Sequence, residues 1–253
     1  MRLSRFLALC GLGSRRKNEF LILEGRVSVN GQIVRELSFR VDPERDQVMV
    51  DGKTLKIPPK VYYLFYKPRG YLTSLRDPHH RQTIQLFLER LPFRVFPVGR
   101  LDKESEGLLL LTNDGELANR LLHPRFEVKR TYQVWVKPEL AKDKIKKLLE
   151  KGVDIEGKII RPVEFKFYKK DGPLYIYQVM VKEGVKREVR RMVSFLGGRV
   201  VRLVRTSFGP LELKDLKPGE IRPLKQRELQ RLKEFLQLKS SEILASTSSG
   251  ELT

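Results

Sequence analysis

The sequence predicts an α+β fold in two parts, and three observations carry that prediction. Two short stretches with helix-spaced apolar residues lead directly into alternating residues around Asn30-Gly31. A proline-bearing spacer, Lys56-Ile57-Pro58-Pro59-Lys60, then interrupts the chain and favours an extended connection. Beyond it, strand-like and helix-like runs alternate up to about residue 238.

Residues 2–10 place Leu3, Phe6, Leu7 and Cys10 on one helical stripe, and Gly11-Leu12-Gly13 ends it. Ser14 is a candidate N-cap for a second helix, whose first turn holds Arg15, Arg16 and Lys17 and which is expected to bury Phe20, Leu23 and part of Leu21 or Ile22. Cations there oppose the helix dipole, a cost that phosphate binding would offset. Gly25 closes that helix, and Val27-Ser28-Val29 and Gln32-Ile33-Val34 flank Asn30-Gly31 as a hairpin. Residues 46–55 add strand around Val48-Met49-Val50, with a turn at Asp51-Gly52.

After the spacer, Val61-Tyr62-Tyr63-Leu64-Phe65-Tyr66 reads as a strand ended by Lys67-Pro68-Arg69-Gly70, and residues 83–91 as a short amphipathic helix. A charged loop bracketed by glycines, Gly99-Arg100-Leu101-Asp102-Lys103-Glu104-Ser105-Glu106-Gly107, runs into an apolar strand over residues 108–111. Loops held by a rigid strand are favoured places for chemistry, which makes Asp102 a candidate reacting group. Asn113 and Glu116 have capping-box spacing before a helix over residues 116–123.

In residues 129–136, Tyr132, Val134 and Val136 alternate with Thr131, Gln133 and Trp135. A lysine-rich helix over residues 139–151 and strands at 164–168 and 174–181, turning at Asp171-Gly172, follow. Residues 182–205 are the most basic segment. A helix there buries Val189, Met192, Val193 and Leu196, ends at Gly197-Gly198 and keeps Arg187, Arg190 and Arg191 off its apolar stripe. A strand over 200–204 carries Arg202, with another arginine at 205, and a last helix carries Leu229, Leu232 and Phe235. Residues 239–253 are rich in Ser and Thr and are expected to be a disordered tail.

Composition narrows the chemistry. Hydrophobic residues make up 40% of the 253 residues, enough for a packed core, and the formal net charge of +20 attracts polyanions, nucleic acid above all. No apolar run approaches a bilayer span, and no signal-peptide core follows the first arginines, so a soluble, cytoplasmic protein without membrane attachment is expected. Cys10 is the one cysteine, excluding an intrachain disulfide, and His79, His80 and His123 are not spaced with a carboxylate on one helical face, so no metal site is expected. No G-x-x-x-x-G-K-[ST] loop is present, which argues against an NTP-driven enzyme.

Two resemblances follow from these motifs. Ser14-Arg15-Arg16-Lys17 through Glu24-Gly25-Arg26-Val27-Ser28-Val29-Asn30-Gly31 resembles the S4 RNA-binding domain, placing that module at 1–58 with Ser14, Arg15, Arg16 and Lys17 as RNA contacts. Gly99-Arg100-Leu101-Asp102 with Gly107-Leu108-Leu109-Leu110-Leu111-Thr112-Asn113-Asp114-Gly115, Lys129-Arg130-Thr131-Tyr132 and Arg187-Glu188-Val189-Arg190-Arg191-Met192 resemble the RsuA-like ribosomal RNA pseudouridine synthases, closest to their large-subunit synthase B branch. Ser105 stands where that family commonly has threonine, and Lys186 where the branch has asparagine. The resemblance implies a catalytic domain over 61–238, a mixed, mainly antiparallel sheet flanked by helices around a central cleft.

It also implies a mechanism. Converting uridine to pseudouridine breaks the C1′–N1 bond, turns the base and rejoins it through C5, with no net gain or loss and no cofactor. Asp102 would be the nucleophile or base at the sugar. A carboxylate must stay ionised where water is excluded; burial opposes this, and Arg190, matching the family's basic residue, would counter it. Tyr132 matches the tyrosine that stacks on uracil and is proposed to take the C5 proton. The base must leave its stack, at a cost of a few kcal/mol, and phosphate contacts would offset it, with Lys186, Arg187 and Arg191 as further RNA contacts and Arg100 beside the vacated space. The expected partner is ribosomal RNA or an assembling subunit, bound by a monomer. Alternatives are a small-subunit synthase, a non-enzymatic RNA-binding assembly factor, or a glycosidase or nuclease pairing Asp102 with Glu104 or Glu106.

Overall fold

The computed structural model describes residues 1–75, 77–79 and 81–248, with side chains to residue 238; His80 lies outside the described residues. The chain divides into two compact units, Met1–Val61 with Leu91–Arg94, and Tyr62–Arg90 with residues from Val95 onward. Residues 91–94, which the sequence places in the second part, thus group with the first, where Arg94 donates to the Gly11 carbonyl at 3.2 Å.

The first unit contains α1 (Leu3–Leu9), α2 (Arg15–Leu23) and the strands β1 (Val27–Val29), β2 (Gln32–Ile33), β3 (Val48–Val50) and β4 (Lys53–Thr54), ordered β2-β1-β3-β4. The hairpin turns where the sequence places it, with Asn30 and Gly31 both at positive φ. Leu3, Phe6, Leu7, Ile22, Val27, Val29, Val34, Val41, Val48 and Val50 form its core. Ser14 caps α2 by accepting from the Lys17 backbone N–H. Phe20 and Leu23 do not enter the core: they are 66% and 50% exposed. The inward stripe is Asn18 and Ile22, four residues apart and both fully buried, with the Asn18 amide reaching back to the Gly13 carbonyl.

The second unit is built on a nine-stranded sheet. Its strands are β5 (Tyr62–Lys67), β6 (Phe96–Pro97), β7 (Glu106–Thr112), β8 (Arg130–Lys137), β11 (Glu164–Asp171), β12 (Leu174–Val181), β13 (Arg199–Phe208), β14 (Leu211–Glu212) and β15 (Ile221–Pro223). A separate hairpin, β9 (Val153–Ile155) and β10 (Lys158–Ile160), precedes β11. The main order is β11-β12-β8-β13-β7-β5-β15, with β6 on β7 and β14 on β13. All pairings are antiparallel except β13 with β7. The fold class is therefore the mixed, mainly antiparallel sheet with helices that the sequence predicts.

Helices α3 (Gln85–Leu88), α4 (Gly115–Leu122), α5 (Lys142–Lys151), α6 (Glu188–Phe195) and α7 (Gln226–Ser248) complete the unit. One core cluster joins α5 and α6 to Val134 and Val136 of β8; another joins α4 and α7 to Leu108 and Leu110 of β7. Strand β7 is buried along its whole length, as its apolar run requires.

Several boundaries differ from expectation, β13 among them, which runs from Arg199 to Phe208 rather than over 200–204. The cap of α4 is Asp114, whose carboxylate accepts from the Glu116 and Leu117 N–H groups at 3.2 Å each, rather than Asn113. Helix α3 is one turn long because Pro92 disfavours helical backbone at residue 91 and Leu86 gains no burial. Helix α7 continues to Ser248, past the boundary drawn at 238, while residues 249–253 of the expected tail lie outside the described residues.

Candidate active site

The loop before β7 is tied down on every side. The Thr73 hydroxyl donates to the Leu101 carbonyl at 2.7 Å and accepts from the Leu101 N–H at 3.1 Å. The Gly70 N–H donates to the Lys103 carbonyl (2.8 Å), and the Ser105 N–H closes a turn on the Asp102 carbonyl (3.0 Å). Below the loop, the Lys67 ammonium donates to the carbonyls of Ser105 (2.7 Å) and Pro68 (3.0 Å). Lys67 is fully buried; burial lowers it to about 8, while Glu106, Asp102 and Glu104 pull the other way. The Ser105 hydroxyl is buried without a partner. Asp102 thus rides, half-buried, on a loop whose backbone is fixed at Leu101, Lys103 and Ser105.

Tyr132 lies in β8 with 8% of its surface exposed and shares a core cluster with Leu101, the residue before Asp102. Burial raises its phenol, and the guanidinium of Arg205 opposes that rise. Arg190, on α6, gives Nη2 to the Glu104 carbonyl at 2.9 Å, and its Nε is buried without a partner. Burial and Arg187 press its pKa down, and Asp102 pushes it up, so the two sequence-predicted charges bear on each other. No ion pair among the described residues joins them directly.

The structure therefore brings Asp102, Tyr132 and Arg190 into one unit and around one loop. The other acids of that loop are already engaged. Glu104 pairs with Arg69 at 3.2 Å, and the buried Glu106 takes Arg202 Nε at 2.6 Å and the Tyr66 hydroxyl at 3.1 Å. Each therefore faces an arginine, rather than standing with Asp102 as the paired carboxylates of a glycosidase.

The expected RNA contacts divide. Arg100, Lys186 and Arg187 are exposed in this unit, Arg187 with left-handed backbone just before α6. Arg191 is tied to Glu156 at 2.5 Å. In the first unit Ser14, Arg15, Arg16 and Lys17 are all exposed, although the Ser14 hydroxyl also serves as the helix cap.

Four residues of the site escape the sequence reading. Lys67 stands there only as the residue that ends a strand, Thr73 is not singled out, Glu188 appears only within the Arg187-to-Met192 motif, and Arg205 only as a further arginine after the 200–204 strand. Glu188 is 5% exposed, its Oε2 has no partner, and burial raises it to about 8. Arg205 is 2% exposed.

The chain is also similar to known proteins. Residues 61–195 match the family model described as RNA pseudouridylate synthase, and residues 1–48 match that of the S4 domain. A protein of Aquifex aeolicus (strain VF5) described as an uncharacterized RNA pseudouridine synthase is 43% identical over 94% of this chain and 96% of its own. The ribosomal large subunit pseudouridine synthase B of Bacillus subtilis (strain 168) is 40% identical over 92% and 95%. A crystal structure of a pseudouridylate synthase superposes with a TM-score of 0.65, at 29% identity over 92% of this chain and 99% of that one. With its S4 domain in front, the chain belongs to the RNA pseudouridylate synthase family.

Proposed function

We propose that this chain isomerises a specific uridine of large-subunit ribosomal RNA to pseudouridine, with Asp102 as the nucleophile or base at the sugar. The observation that carries the reading is the Asp102 loop, held through Lys67 and Thr73, with Tyr132 in the same core cluster as its Leu101 and the Arg190 charge bearing on Asp102. A fixed carboxylate beside a cation suits attack at C1′, since little reorganisation is then needed at the moment of reaction. Tyr132 supplies a ring for stacking on the detached uracil and a hydroxyl for the C5 proton. The choice of the large subunit is supported by similarity to the Bacillus subtilis relative. The surface charge and the S4 domain would bring the RNA, with Arg100 and the exposed Lys186 and Arg187 near the flipped nucleotide. The protein acts as a monomer in the cytoplasm and uses no cofactor.

Purified protein incubated separately with large- and small-subunit ribosomal RNA transcripts should give one pseudouridine-specific reverse-transcription stop, in the large-subunit transcript. Asp102→Asn should remove it. A stop that survives Asp102→Asn overturns the role of Asp102, a stop in the small-subunit transcript overturns the choice of substrate, and strand cleavage overturns the reaction class.

A further inference from the structure

Arg205 carries a buried charge with no carboxylate bearing on it among the described residues. It lies on β13 directly opposite Tyr132 of β8, and its Nε donates to the Leu108 carbonyl at 2.8 Å. The Tyr132 hydroxyl bears on its guanidinium, which lies 5.2 Å from the centre of the Phe208 ring, while Nη2 is buried without a hydrogen bond. Among the described residues, the other charged groups that bear on it are cations, Arg130 on β8 and Lys67 on β5. Arg130 is itself taken up by the carbonyls of Val128, Lys182 and Glu183. The acid that bears on the phenol of Tyr132 is Glu188 of α6. Burying a guanidinium without a counter-ion is costly, and replacement by an apolar residue would ordinarily relieve that cost. The backbone around Arg205 is equally committed: a Cβ added to Gly107 would lie 2.4 Å from the Arg205 carbonyl oxygen, so β7 and β13 can pair there only because residue 107 is glycine.

We propose that Arg205 is a positioning residue for Tyr132, fixing the phenol from inside the sheet and serving as its counter-cation when the phenol gives up its proton. This rests on the function proposed above and assigns Tyr132 proton transfer in addition to stacking. The phenolate takes the C5 proton of the rejoined uracil and becomes phenol again; the phenol releases that proton to water, and N1 of the base takes one from water, so the isomerisation conserves protons. Arg205 keeps its charge throughout. Arg190, on α6, serves Asp102, so the two reacting groups each have a dedicated arginine.

The test places 3-fluorotyrosine at position 132 and follows its fluorine resonance with pH in the full-length protein, in parallel with single-turnover pH–rate profiles on the RNA transcript. In Arg205→Met the fluorophenol should titrate at higher pH than in the parent. The acid limb of the rate profile should move the same way, with a loss of about tenfold or more in the turnover step and little change in RNA affinity. Arg205→Lys should fall between the two, which keeps the test valid if the Met variant does not fold. Equal fluorine titration in parent and variants, or a rate loss that is uniform across pH, would overturn the proposal. A shifted fluorine titration in a protein that makes no pseudouridine would leave the Arg205–Tyr132 pairing standing and overturn the proposed function instead.

Discussion

The ammonium of Lys67 donates to the carbonyl oxygen of Ser105 across 2.7 Å, from a side chain that solvent does not reach. One buried cation thus anchors the C-terminal side of the Asp102 loop and answers the charge of three acids, Glu106, Asp102 and Glu104. Replacing it with methionine keeps much of the volume and removes both the anchor and the charge. Lys67→Met is expected to lower the turnover step by about 10²-fold, since a displaced catalytic group costs about that much, with RNA affinity retained. Single-turnover rates and filter-binding constants on the same transcript check this.

Lys67 also leaves a signature in alkali. Its folded value of about 8 lies below the ordinary 10.5, so between those pH values the unfolded chain holds a proton that the native protein has lost. Stability from this group therefore rises with pH across that window. The stability difference between parent and Lys67→Met should move in the parent's favour from pH 8 to pH 10.5, read from thermal or denaturant unfolding.

Glu188 works in the opposite sense. Its carboxyl is raised from 4.5 to about 8, chiefly by burial, so across that range the native state keeps a proton that the unfolded chain has released. Its contribution is fully present below about pH 4.5 and is lost as pH rises towards 8. Glu188→Gln should match the parent in stability near pH 4.5 and exceed it increasingly up to pH 8. A constant offset between the two unfolding curves would contradict this.

Gly107 has no tolerated alternative. Its φ is +110°, and an added Cβ would meet the Arg205 carbonyl oxygen at 2.4 Å, a backbone atom that cannot swing aside. Gly107→Ala is expected to destabilise the protein by about 3 kcal/mol or more through combined strain and overpacking. Denaturant unfolding would show it as a lower midpoint.

In the first unit, Arg15 and Arg16 head α2 without an ion pair among the described residues, while Ser14 holds the helix end. Alanine at both positions should weaken binding to the ribosomal RNA transcript. The slope of log affinity against log salt should fall by about one unit for each phosphate that is no longer neutralised. Ser14→Ala should instead cost about 1 kcal/mol of stability through removal of the cap.

Local patterns made much of this structure legible. The Asn30-Gly31 hairpin, the Ser14 cap, the alternation through Tyr132, Val134 and Val136, and the apolar stripe of α6 all appear where neighbouring residues imply them. Each depends on interactions a few residues apart along the chain. Phe20 and Leu23 depart from expectation for a related reason. Apolar character does not say which face of a short helix meets its partner, and Asn18 takes that face beside the expected Ile22.

For the site, the resemblance to a known family singled out the proposed carboxylate, aromatic ring and cation, each carried by a short motif. What holds those three groups emerges only when the chain is folded. Lys67, Thr73 and Arg205 act across 38, 28 and 97 residues of chain, on Ser105, Leu101 and Leu108 respectively. Such interactions depend on strand order and register, above all on the parallel pairing of β13 with β7 at Gly107, and no periodicity within one segment encodes them. A lysine or arginine in a basic chain reads as solvated surface until the sheet closes over it, and burial then turns it into the charge that sets its neighbours.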